Sequence, residues 1–195
     1  MTFTLQTRGF ARALFLCASF GLLTACGDTL TKSTMSAPAP SSFNPMLQAQ
    51  AIAEVKAKQA RGARVWCVPF ARTASGIDLQ GNAGTWFAAA KGKYYRGSTP
   101  EEGAVMVFAP HSSSRLGHVA VVSEVISDRK VLIDHANWHR NQISLKMPVI
   151  DVSEKGDWSR VQVEATPGVL GSPRPLRGFV YPRKIGATAA ADAAS

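Results

Sequence analysis

Residues Gly117-His-Val-Ala-Val-Val-Ser-Glu-Val-Ile-Ser-Asp-Arg-Lys-Val-Leu-Ile-Asp-His-Ala-Asn-Trp138 decide the fold class. They hold two β-rich runs, Val119–Ile126 and Lys130–His135, separated by Ser127-Asp128-Arg129, which reads as a turn. Outward from this stretch the same pattern recurs at Ala104–Ala109, Ile143–Val152, Arg160–Glu164 and Gly178–Tyr181. Upstream the pattern is helical. Leu47, Ile52 and Val55 recur near helical spacing within Pro45–Ala60, and Cys67–Ser75 is stopped by Gly76 with Pro69 tolerable in its first turn. A further helical stretch, Ala83–Ala90, is closed by Gly92. Helices first and strands afterwards predict an α+β fold, with short N-terminal helices packed on an antiparallel sheet of about five or six strands.

The 195 residues are 46% apolar and 18% charged, which excludes collagen-like, disordered and disulfide-scaffold classes. Arg8 and Arg12 precede an uncharged run from Ala13 to Ala25, too short for a comfortable membrane span and patterned as an export signal. Leu23-Thr24-Ala25-Cys26 resembles the lipobox of bacterial lipoproteins, which implies removal of residues 1–25 and lipid on Cys26. Residues 26–45 read as a Ser/Ala/Pro tether, 46–62 as an amphipathic helix, 63–183 as one domain and 184–195 as a frayed tail. Losing residues 1–25 removes two arginines and no acid, so +9 falls only to +7, from 20 basic and 13 acidic residues. For an exported chain this charge favours cell-wall polymer and anionic lipid over nucleic acid. Lipid on Cys26 would hold the protein on a membrane facing the periplasm, with Gly27-Asp28 leaning toward the outer membrane.

With Cys17 removed and Cys26 lipidated, Cys67 is the remaining thiol. Its place at the start of a predicted helix favours thiolate, and a thiolate nucleophile needs a basic partner. Among His111, His118, His135 and His139, His118 stands out because it opens the run Val119-Ala-Val-Val122. It can therefore point at a facing helix without lying deep in the core. If the next run stays extended, His135 and Asn137 share one face and Asp134 takes the other, which leaves His135 and Asp134 as rival orienters of His118. His111 and His139 read as loop residues. The histidine spacings suit no metal site, and no cofactor fingerprint is present, so neither is expected.

Cys67-Val-Pro-Phe-Ala71, Pro100-Glu-Glu-Gly-Ala-Val-Met-Val-Phe108, Gly117-His-Val-Ala-Val-Val122 and Asp134-His-Ala-Asn-Trp138 together resemble the CHAP family of cysteine, histidine-dependent amidohydrolases/peptidases. These are relatives of NlpC-type cell-wall peptidases with a papain-like fold. The resemblance covers about residues 64–182 and extends to Arg177-Gly-Phe-Val-Tyr-Pro182. It implies Cys67 as nucleophile, His118 as general base, and His135 and Asn137 as the polar pair behind it. In that family the third position is commonly Glu, where this chain has His135, as some NlpC-type relatives do. Trp66 stands where a polar residue often precedes the nucleophile, leaving the Cys67 backbone N–H as the candidate oxyanion donor.

The resulting expectation is a monomeric peptidoglycan hydrolase, an amidase or an endopeptidase working through a thioester. Trp86, Tyr94, Tyr95 and Trp138 are the candidate groove aromatics. A non-catalytic wall-binding lipoprotein and a thiol-dependent acyltransferase are the rival readings.

Overall fold

The computed structural model describes residues 42–186 except Ser113. The expected signal, Cys26, nearly all of the tether and residues 187–195 lie outside the described residues.

Helix α1, Pro45–Ala60, starts where Asn44 caps it. The Asn44 side chain accepts from the N–H groups of Met46 and Leu47, at 2.9 and 3.3 Å, and Pro45 occupies the first turn. The end of the expected tether is fitted against the domain, because a Cβ on Gly103 would lie 2.5 Å from the Ser42 carbonyl carbon. Helix α2, Cys67–Ser75, ends at Gly76, whose φ of 70° is the left-handed cap that glycine adopts without strain. The Ala83–Ala90 stretch divides into a 3₁₀ turn, Ala83–Thr85, and a single helical turn α3, Trp86–Ala89.

The strands are β1 Tyr94–Gly97, β2 Val105–Phe108, β3 His118–Ser127, β4 Lys130–Ala136, β5 Ile143–Asp151, β6 Arg160–Thr166, β7 Val169–Leu170 and β8 Arg174–Lys184. They form one antiparallel sheet of eight strands ordered β1-β8-β2-β3-β4-β5-β6-β7, two more strands than the upper expectation. The additions, β1 and β7, are short edge strands. β8 also pairs with β6, through Arg160↔Pro175 and Val161↔Arg174, so six strands close into a ring.

Closure gives the sheet two apolar faces. Val105, Val107, Val119 and Val121 pack with the helices around Phe70 and Trp86, while Met106, Phe108, Ala120 and Val122 fill the ring with Ile133 and Phe179. Double-sided burial is why β2 and the first half of β3 are unbroken apolar runs.

One close approach fixes the mouth of β3. Gly117 has φ 71°, and a Cβ there would lie 2.6 Å from Gly84 Cα and 2.7 Å from the Phe108 carbonyl oxygen. The Gly84 N–H donates to the Leu116 carbonyl at 2.8 Å, locking the 3₁₀ turn beside His118. Gly117→Ala is therefore expected to cost roughly 1–3 kcal/mol, read as a lower thermal midpoint.

Candidate active site

Cys67 is the first residue of α2, following Trp66 in extended conformation. Cys67 is half-buried, and the backbone N–H groups of Val119, Cys67 and Val68 converge on its sulfur. Burial outweighs these three donors and pushes the thiol above its ordinary value. The helix terminus supplies N–H groups as the sequence predicts, but burial outweighs them and favours the protonated thiol.

His118 shares the Cys67 cleft from the opening of β3, though not on the face expected. Ala120 and Val122, which alternate with it, belong to the ring interior; Val119 and Val121 face the helices. The imidazole packs at 5.1 Å from Trp138 and 5.7 Å from Phe108, centroid to centroid. It reaches Cys67's cavity because it stands at the mouth of the strand.

His118 Nε2 lies 2.9 Å from His135 Nδ1, and His135 Nε2 lies 3.2 Å from the Met147 sulfur. A thioether can only accept, so His135 carries its proton on Nε2 and presents an unprotonated Nδ1. His118 then donates through Nε2–H, and its Nδ1 keeps the lone pair. One sulfur contact thus sets both tautomers and leaves His118 a base.

Asp134 faces the other way. Its carboxylate accepts from the Lys146 N–H at 2.7 Å and from the Gln48 side chain, tying β4 to β5 and α1. Period-two alternation therefore put His135 on the His118 side as predicted. It fails one step later: Asn137 lies beyond β4 with φ 63°. Its Oδ1 accepts from the Asn141 N–H at 2.8 Å, and Asn141 Oδ1 accepts from the Val65 N–H at 2.7 Å. Asn137 lines the cleft and braces the segment that leads into Cys67, rather than hydrogen-bonding to His118. The role of Asn141 in that brace has no periodic signal in the sequence.

The groove aromatics need correction. Trp86 is 0% exposed in the helical core, and Tyr94 is buried with its hydroxyl accepting from the Asp78 N–H at 3.0 Å. Their apolar bulk is needed between helices and sheet. Tyr95 is exposed on β1 but lines neither cavity beside His118. Trp138 does face a cavity next to His118. The larger cleft, about 600 Å³, is bordered by Cys67 and His118 with Arg64, Trp66, Arg115 and Leu116. Trp66 is 44% exposed and stacks under the Arg64 guanidinium at 4.0 Å. Of these rim residues the sequence singles out only Trp66, as the residue before the nucleophile; Arg64, Arg115 and Leu116 carry no signal there.

Residues 58–137 match the family model of the CHAP domain. The CHAP match opens near the end of α1, spans Cys67, His118 and His135, and closes at Asn137. CHAP domains are hydrolases of the amidase or peptidase type. No curated protein matches the chain.

Burial, with the charge of Arg174 adding to it, holds His118 down to about 3. Burial first, then His118 and His139, hold His135 well below 6.5. Both rings are therefore neutral in the fold, whereas the unfolded chain protonates them near 6.5. Stability from this source is complete above about 6.5 and is lost as pH falls toward the folded values. Each extra proton bound by the unfolded chain contributes a slope of about 1.4 kcal/mol per pH unit. Denaturant midpoints followed from neutral pH into acid are expected to fall, and less steeply in His118→Gln.

Proposed function

We propose that the chain is a cysteine-dependent amide hydrolase of peptidoglycan, an amidase or endopeptidase. The observation that carries this reading is the His118–His135 contact of 2.9 Å, which leaves a basic imidazole nitrogen in the cleft of a thiol at a helix start. His118 Nδ1 takes the Cys67 proton as sulfur attacks the amide carbonyl. The Cys67 and Val68 N–H groups, already aimed at the sulfur, stabilise the tetrahedral oxyanion. Collapse breaks the C–N bond, His118 returns the proton to the departing amine, and a thioester remains. Water, deprotonated by His118, then releases the acid and restores the thiol. In the same proposal, lipid on Cys26 tethers the enzyme to a periplasm-facing membrane, and the chain acts as a monomer.

Mass spectrometry of purified peptidoglycan digested by the chain, with Cys67→Ala beside it, tests the reading. Fragments with new amine and acid termini are expected only from the chain with its thiol, and the termini identify the bond. Fragments from both proteins would remove Cys67 from the mechanism. A folded chain releasing none would turn weight to the acyltransferase or the wall-binding scaffold.

A further inference from the structure

A smaller cavity of about 310 Å³ adjoins the Cys67 cleft. Ser114, His118 and Asn137 line both; Cys67 lines only the larger one, and His111, Trp138 and Arg174 only the smaller. Arg174 opens β8, where its pairing with Val161 on β6 fixes the backbone. Its guanidinium lies 5.2 Å from the Trp138 ring centroid and contacts a ring nitrogen of His111. Among the described residues, no Asp or Glu lines either cavity. The cation's field reaches the site's base: burial is the main cause that lowers His111 and His118, and Arg174 adds to it in both.

His118 has to hand a proton to the departing amine, so the amine-bearing half of a substrate must pass beside that ring. The cavity reached past His118 and away from Cys67 is the one that Arg174 borders. We propose that this cavity receives the substrate residue released as the amine, and that Arg174, with His111 beside it, binds a free carboxylate on that residue. The assignment rests on the hydrolase reading for its orientation. Arg174 lies outside residues 58–137, so it is a feature of this chain beyond the matched segment. A guanidinium fork suits a carboxylate by geometry as well as charge. A carboxylate seated there would also offset the field of Arg174 on His118 as the proton is moved.

The test uses D-alanyl-D-alanine, whose second residue carries the free carboxylate and is the one that amide cleavage would release as an amine, and its C-terminal carboxamide, titrated by NMR into the chain carrying Cys67→Ala. The free acid is expected to bind about ten- to a hundredfold more tightly than the amide, as for a charge-assisted hydrogen bond. Adding Arg174→Gln should bring that ratio close to one, and Arg174→Lys should keep part of it. Equal affinity for the two peptides, undetectable binding of both, or a preference that survives Arg174→Gln would each overturn the assignment. Digestion of peptidoglycan by the parent chain is read alongside. An acid preference without fragments leaves the carboxylate site standing and removes the hydrolase; fragments without the preference do the reverse.

Discussion

Cys67→Ala is expected to lower amide cleavage by on the order of 10⁴- to 10⁶-fold, the range in which a covalent nucleophile is removed from its base. Cys67→Ser should recover little of it. Burial pushes the sulfur up and so disfavours the thiolate, and His118 stays neutral until well into acid. Attack therefore depends on passing a proton to His118 in the transition state. A serine hydroxyl, with a far higher pKa than a thiol, makes the same transfer harder still. Iodoacetamide should accordingly alkylate Cys67 slowly at neutral pH and faster above the ordinary thiol value near 9.0. Rapid alkylation below pH 6 would reveal a preformed thiolate–imidazolium pair and overturn the neutral resting state. The same titration on His118→Ala separates the base from the backbone donors, since the three N–H groups at sulfur remain.

What the sequence reveals and conceals follows from the range of the forces involved. Asn44-Pro45 and Gly76 act within one turn of their own helices, so the start of α1 and the end of α2 are legible locally. His135 and Asp134 are separated by strand alternation, which is equally local. Trp86 and Trp138 read alike as sequence, yet one fills the core and the other faces a cavity, because tertiary packing alone distinguishes them. The β8–β6 pairing is a long-range closure with no periodic trace, and it is what brings Arg174 to the His118 site. Met147 is the sharpest case. As a residue in β5 it suggests only packing, but its sulfur sets the tautomers of two histidines.

His118→Ala should reduce turnover by about 10²- to 10⁴-fold, the contribution of a positioned general base. His135→Ala should cost less, up to about 10²-fold, because it loosens the ring that moves the proton without removing it. His135→Glu is more revealing than either. It replaces a neutral acceptor at His118 Nε2 with a carboxylate, which favours the imidazolium and raises His118 from its value of about 3. The acid limb of the pH–rate profile should then move to higher pH, because a larger share of His118 is already protonated and unable to accept from Cys67. A merely structural defect would lower the whole profile and leave the limb in place. If His135→Glu leaves the limb where it was, His135 does not govern the charge on His118, and the 2.9 Å contact serves packing alone. If the limb moves while His118→Ala retains nearly full turnover, the titrating group is another one, and the base has to be sought elsewhere in the cleft.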